Sequence, residues 1–350
     1  MSPKRTYSES DVRIRPNSKG SRPRTKDRPR YDEAIQARVI TVDRGRYTTL
    51  VDQGTETERA VIAVRARELR RTPVVVGDRV DLVGDVSGAT DALARLVRIR
   101  ERATLLRRSA DDGDSTERVL VANADQLVIV TAAADPEPRP RFIDRSLAAA
   151  FNAGMDALIV VTKTDLAGAD ALARLYDAID VAVLATSLPP EDAEGDVAAV
   201  GVEEVRRRLQ GKTSVLIGHS GVGKSTLINA LVPEARRATG VVNAVTGRGR
   251  HTSSSAIGLR LPDDEHGWVV DTPGVRSFGL AHVTPETLLA AFTDLVPASA
   301  DCPRGCLHHE NSPRCQLDSW VQAGNAGARG QERLDSFRRL LSGVEQQPGA

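Results

Sequence analysis

The sequence predicts a multidomain chain: a small N-terminal β-barrel, a central α/β domain and a C-terminal helical, metal-binding module. Three observations carry that reading. Between residues 37 and 100, five short β-type runs follow one another at barrel spacing. Beyond residue 115, short apolar runs alternate with helix-like segments, the texture of a mostly parallel sheet. All three cysteines fall in one window near the C-terminus.

Composition narrows the function classes. The chain has 350 residues, 40% of them apolar and 27% charged, which suits two or three globular domains. No stretch reaches the ~18 consecutive apolar residues of a membrane span. Aromatics at 3% argue against binding by extended stacking. Three cysteines cannot build a disulfide framework. No apolar segment follows Met1-Ser-Pro-Lys-Arg5, so the expectation is a cytoplasmic protein without a secretory signal.

Charge is uneven. Residues 1–30 hold ten Lys/Arg and three Asp/Glu, a local net of +7, against +1 for the whole chain. Residues 1–34 therefore read as a disordered basic tail, suited to a polyanion or simply solvated. Lysine is scarce, 6 against 42 arginines. Outside the tail only Lys163, Lys212 and Lys224 remain, and two of them fall in motifs.

The barrel strands are read at Ala37–Val42, Tyr47–Val51, Ala60–Val64, Val74–Val76 and Leu93–Ile99, separated by turns such as Asp43-Arg-Gly45 and Gly77-Asp78. Periodicity alone does not choose between an OB and an SH3-like barrel. In the α/β region the strands are read at Gln126–Val130, Ala157–Val161, Val181–Leu184, Thr213–Ile217 and Trp268–Val270. Helices fall at Phe142–Ala153, Ala169–Ala178 and Ser225–Leu231.

Gly218, His219, Ser220, Gly221, Val222, Gly223, Lys224, Ser225 and Thr226 spell G-x-x-x-x-G-K-[ST] between a strand and a helix. The glycines let backbone N–H groups turn onto phosphates, and the helix N-terminus favours the anion. Lys224 is assigned to the β- and γ-phosphates and Ser225 to Mg²⁺.

Thr162, Lys163, Thr164 and Asp165 follow a strand and fit the [N/T]-K-x-D pattern. Guanine offers two adjacent donors that one carboxylate accepts together; adenine offers an acceptor there. Asp165 is the reader, and the Lys163 stem lies over the base. Ala185-Thr-Ser187 follows the next strand and is a weaker candidate for the guanine carbonyl. Asp271-Thr-Pro-Gly274 fits D-x-x-G, with Asp271 supporting Mg²⁺ and the Gly274 N–H meeting the γ-phosphate. Val275 follows, where a glutamine would orient water. The polar run Gly247–Ser255 lies between these elements. Thr252 is the candidate to close on metal and γ-phosphate, and His251 to position water.

Order is informative. The base-reading element precedes the phosphate loop, so the sheet is circularly permuted relative to an ordinary GTPase. The chain after Asp271 then leads straight into the C-terminal module. There Cys302, Cys306, His308 and Cys315, at spacing C-x₃-C-x-H-x₆-C, supply a tetrahedral Cys₃His set for one structural Zn²⁺. His309 is the alternative ligand; the C-x-H spacing favours His308.

From about residue 35 onward this constellation resembles the RsgA/YjeQ family of permuted GTPases acting on the bacterial small ribosomal subunit. The likeness rests on Val76-Gly-Asp-Arg-Val80, Ala122-Asn-Ala-Asp125, Thr162-Lys-Thr-Asp-Leu166, the phosphate loop, Arg250-His-Thr252, Asp271-Thr-Pro-Gly-Val-Arg276 and the Cys/His cluster. It departs from the family at Thr162, where asparagine is usual, at Ser253 and in the cysteine spacing. The resemblance implies an OB-fold RNA-binding barrel over 35–105, a permuted GTPase domain over 106–282 and a zinc-binding helical domain over 283–350. It also implies a GTP phosphohydrolase of late small-subunit maturation that binds rRNA, with docking stimulating hydrolysis. A monomer is expected. Two other readings use the same residues: an ATP-using P-loop enzyme, or an RNA-binding scaffold with structural nucleotide. With few aromatics, RNA contacts should fall on phosphate and shape.

Overall fold

In the computed structural model, described residues are 31–69, 72–109, 117–188, 199–233, 235, 256–272, 280 and 283–345. His251, Thr252 and Gly274 lie outside them, as does nearly all of the basic tail.

The first strands close a barrel. They are β1 (Ile35–Asp43), β2 (Arg46–Val51), β3 (Arg59–Arg65), β4 (Arg79–Gly84) and β5 (Ala94–Ile99). The order β1-β2-β3-β5-β4 returns to β1, with β3 and β5 parallel and the other pairs antiparallel. This is OB connectivity. Val39, Val61, Leu82 and Leu96 fill its interior.

One expected strand is corrected. Val74–Val76 forms a buried turn with a single bridge to Val121, and the fourth strand is Arg79–Gly84. That strand buries Asp81, which accepts from Arg98 at 3.1 Å and Arg100 at 2.6 Å. Asp78 is buried too. It accepts from the Val75 N–H at 2.8 Å and from Arg102 Nε at 2.7 Å. Buried carboxylates are tolerable only when paired in this way.

A hairpin, β6 (Leu105–Ser109) with β7 (Glu117–Ala122), leads into the α/β part. Its strands are β8 (Gln126–Ala132), β9 (Asp156–Thr162), β10 (Ala182–Ala185), β11 (Thr213–Ile217), β12 (Ile257–Arg260) and β13 (Trp268–Asp271). Their order is β10-β9-β8-β11-β13-β12, parallel except for β12. All seven residues of β8 are buried, because helices cover both faces. Leu127 and Ile129 face a core shared with α1 (Pro140–Asn152), α2 (Asp170–Tyr176) and later helices. Val128 and Val130 face the opposite core, with α3 (Val202–Leu209) and α4 (Lys224–Leu231).

The C-terminal segment adds α5 (Pro285–Leu289), a 3₁₀ turn at Val296–Asp301, α6 (Leu317–Gln322) and α7 (Gly330–Glu345). Thr284 caps α5 through a reciprocal capping box with Thr287. Leu288, Phe292, Leu317, Phe337 and Leu340 join the α1 core, so these helices share apolar packing with the sheet. Trp320 donates from Nε1 to the Asp294 carbonyl at 3.0 Å. Among the described residues, no helix is long and apolar enough to cross a membrane.

Barrel and sheet are continuous. β1 pairs with β12 at Thr41 and Ile257, just beyond a bulge at Ile40. A bulge bends a strand, so the first half of β1 closes the barrel and the second half joins the sheet. Gly258 permits the approach: a Cβ there would lie 3.4 Å from the Ile40 carbonyl. At a second seam Gly77 is left-handed (φ 88), and a Cβ would lie 2.0 Å from the Ala122 carbonyl. Asn123 Nδ2 donates to the Gly77 carbonyl at 2.9 Å. The two motifs Val76–Val80 and Ala122–Asp125 therefore meet as this joint. At the far end of the sheet, Arg38 and Arg260 lie 5.0 and 5.1 Å from the Trp268 ring centroid. Arg38 donates to Thr213 at 2.7 Å, and burial among other arginines lowers its pKa to about 10.

Candidate nucleotide site and metal centre

The five parallel strands release their carboxyl ends on one side of the sheet. Chain progression reverses between β8 and β11: β9 and β10 lie beyond β8, and β13 and β12 beyond β11. In open α/β sheets a ligand crevice opens at such a reversal, beyond the carboxyl ends. The phosphate loop after β11, Thr162–Leu166 after β9, Ala185–Ser187 after β10 and Asp271 of β13 all come to that edge.

The phosphate loop is shaped by glycine where nothing else fits. A Cβ on Gly218 would lie 2.6 Å from the Val130 carbonyl, and Gly221 and Gly223 take φ of 83° and 82°. Left-handed glycines turn successive N–H groups toward one point. Gly223 is the N-cap of α4, so its dipole adds to the same anion site. Lys224 begins the helix with its side chain 12% exposed, and its ammonium pairs with Asp271. Ser225 is exposed at the first turn, whereas Val222 is buried. The His219 ring packs on Phe142 of α1, with centroids 4.2 Å apart, which leaves its backbone N–H in the loop. Burial there, with the Arg139 charge added, holds its pKa below the usual imidazole value.

The base-reading loop is tied to its neighbours. Thr162 is buried, and its hydroxyl lies 2.5 Å from the Val222 carbonyl and 3.2 Å from the Thr131 carbonyl. Its side chain thus fastens the phosphate loop to β9 and β8. Lys163 has φ 54, and its ammonium donates to the Asp135 carbonyl. The Thr164 N–H donates to the Thr186 carbonyl at 3.2 Å. Asp165 is exposed and accepts from the Ser187 hydroxyl at 2.8 Å. Ser187, weak as a sequence signal, becomes the partner of the reading carboxylate because β10 lies parallel beside β9. Sequence reasoning missed the segment after β8, where Pro136 Cδ comes within 3.6 Å of a Cβ on Gly221.

In the C-terminal segment, Cys302, Cys306, Cys315 and His308 bring their ligand atoms within 4.8 Å of one another. His308 Nδ1 lies 3.7 Å from Cys302 Sγ and 3.6 Å from Cys315 Sγ. His308, not His309, belongs to this group. Three thiols and one imidazole are a donor set that fits a tetrahedral thiophilic ion. Burial and the neighbouring thiols push the Cys315 thiol up to about 12, and a coordinated cation reverses that shift. His308 has φ 57. Its carbonyl accepts from Arg338 Nε at 3.3 Å, while the same guanidinium makes a forked pair with Asp318 at 2.9 and 2.7 Å.

The family model described as RsgA GTPase matches residues 99–281. A protein of Chlorobaculum parvum named "Small ribosomal subunit biogenesis GTPase RsgA" is 34% identical over 280 residues, covering 78% of this chain and 86% of that one. Among solved structures, YjeQ from Thermotoga maritima aligns with TM-score 0.58 at 25% identity, over 88% of this chain and 99% of that one. YloQ, described as a circularly permuted GTPase, aligns with TM-score 0.60 at 23% identity, over 92% and 99%, and supports the fold. Permuted strand order, barrel, phosphate loop and sequence likeness agree, and the chain belongs to the RsgA GTPase family, a GTP hydrolase.

Proposed function

We propose that this chain hydrolyses GTP to GDP and phosphate while bound to the small ribosomal subunit and its rRNA during late subunit maturation, as a cytoplasmic monomer. The observation that supports it best is the convergence of Asp165, the phosphate loop and Asp271 at one sheet edge. The partner is inferred from the relatives, which are named small ribosomal subunit biogenesis GTPases.

In this reading Asp165 accepts the two guanine donors, with Ser187 steadying the carboxylate. The 218–223 amides and Lys224 hold the phosphates and stabilise the charge that builds on them. The Ser225 hydroxyl, in the first turn of α4, and the Asp271 carboxylate, at the end of β13, are hard oxygen donors, which fits Mg²⁺. Mg²⁺, when bound, neutralises charge on the β- and γ-phosphoryl oxygens. Thr252 closes on the γ-phosphate, the Gly274 N–H meets it, and His251 orients water, since Val275 offers no polar group. Cys302, Cys306, His308 and Cys315 hold one structural Zn²⁺, four protein ligands leaving no open position.

The deciding experiment is turnover of GTP, with ATP as control, in the presence and absence of small ribosomal subunits. Stimulation of GTP turnover alone supports the proposal. Turnover that ignores subunits removes the partner, and equal use of ATP removes the base reading. Lys224→Ala should abolish tight triphosphate binding; unchanged affinity would disqualify the phosphate-loop assignment.

A further inference from the structure

The crossover carrying both base-reading loops is gripped from outside by the C-terminal helix. β9 delivers Thr162–Asp165 and β10 delivers Ala185–Ser187; α2 and a 3₁₀ turn at Asp177–Ile179 join them. β10 has four residues and forms the edge of the sheet, paired with β9. One short ladder holds such a strand weakly, so its seat is set at its two ends. One end is Ser187, whose hydroxyl bonds Asp165 and whose backbone exchanges hydrogen bonds with Val200 at 3.2 and 2.8 Å. The other is Asp180, held left-handed at φ 57, a conformation with a backbone cost for a non-glycine residue.

Arg333 of α7 holds that second end. Its guanidinium pairs with Asp180, donates to the Ala178 carbonyl at 2.9 Å, and donates from Nε to Asp294 at 2.7 Å. It lies 5.5 Å from the Phe292 ring centroid, and its side chain is 12% exposed. Two further arginines reach the same segment. Arg339 donates to the Leu175 carbonyl at 3.3 Å, and Arg329 pairs with Asp177 at 2.8 Å. The Asp180 side chain is 76% exposed, so the restraint comes from the buried guanidinium, which holds the Ala178 carbonyl and Asp294 as well as Asp180.

We propose that Arg333 is a positioning residue for guanine recognition. It fixes Asp180, and thereby the seat of β10 and the Ser187–Asp165 hydrogen bond, without touching the nucleotide. The C-terminal module then bears on nucleotide hold from the base side, in addition to its covalent link to Asp271. The proposal rests on Asp165 reading the base.

The test is steady-state turnover of GTP, ITP and XTP by the full-length, metal-loaded protein, comparing the parent with Arg333→Ala, Asp180→Asn and Asp165→Asn. ITP lacks the exocyclic amine, so the ratio of GTP to ITP reports the carboxylate contact. Asparagine tolerates the left-handed backbone, so Asp180→Asn tests the link even if Arg333→Ala folds poorly. Equilibrium Kd for each nucleotide, measured alongside, separates affinity from turnover. Arg333→Ala should raise KM for GTP about five- to tenfold, leave kcat unchanged and narrow the preference for GTP over ITP. Asp180→Asn should act in the same direction, less strongly. A purely structural lesion would instead lower kcat for GTP and ITP alike, and that result overturns the proposal. So do unchanged KM and preference in both variants while Asp165→Asn moves preference from GTP toward XTP. If Asp165→Asn leaves GTP preference intact, the base reading itself fails.

Discussion

The barrel and the Cys302–Cys315 loop flank the same sheet and are held by opposite means. The barrel has its own apolar interior, two buried aspartates matched by arginines, and backbone seams to the sheet through Thr41–Ile257 and Gly77–Ala122. The loop has neither strand nor helix between Cys302 and Cys315. It is held by short turns, the Arg338 clip, the packing of His308 on Phe337 and the cluster of four ligand side chains. A domain with its own core keeps its fold when one contact is removed, whereas a loop ordered around one ion loses its order when that ion leaves. The helices around the loop share the sheet's core, so even that loss should stay local.

Metal removal tests the contrast most strongly. A chelator should expose the 302–315 loop to protease while barrel and sheet remain protected. Metal analysis should find one zinc per chain. A loop that stays protected and metal-free would erase the distinction. Structural zinc carries binding free energy on the order of 10 kcal/mol in small domains, so this effect should dominate.

Gly77→Val attacks the barrel at its seam. The new side chain meets the Ala122 carbonyl, and φ 88 disfavours it as well. Denaturant unfolding should report a loss of about 3 kcal/mol; parent-like stability would mean that the seam yields easily. Arg338→Ala removes the clip on His308 and should weaken zinc retention about tenfold, measured by chelator competition. If affinity is unchanged, the four ligands suffice by themselves.

The smallest effect belongs to Glu58 and Arg260, which pair across the barrel edge at 2.5 Å. Burial raises the Glu58 pKa, but the Arg260 and Gly54 hydrogen bonds outweigh it, and the net shift is downward. A depressed carboxylate pKa adds stability above the unfolded value, and this is lost as pH falls through the folded one. Glu58→Gln should therefore cost under about 1 kcal/mol at neutral pH and flatten the acid limb of the stability profile. A steeper acid limb in the variant would reverse that sign.

Legibility followed how locally each feature is encoded. Nine consecutive residues spell the phosphate loop, and their backbone constraints are visible in Gly218, Gly221 and Gly223. Four barrel strands alternate clearly. The fourth in chain order, Arg79–Gly84, hid because Asp81 breaks its apolar pattern, and its partners are Arg98 of the next strand and Arg100 just beyond it. β12 escaped notice as four residues, Ile-Gly-Leu-Arg, with no alternation to detect. The pattern places Thr162 in the base-reading loop, but the bond from its hydroxyl to the Val222 carbonyl, sixty positions on, is not legible in it. The grip of Arg333 on Asp180 joins residues 153 apart, beyond any local pattern.

The chain has two tryptophans, and their placement makes them built-in optical probes. Trp268 lies between Arg38 of the barrel and Arg260 of the sheet, and Trp320 is anchored to Asp294 beside the metal loop. Neither belongs to the phosphate or base-reading loops. Replacing one with phenylalanine leaves a single emitter for the other region. Changes at the barrel joint and at the metal module can then be timed separately during a GTP cycle, without any attached dye.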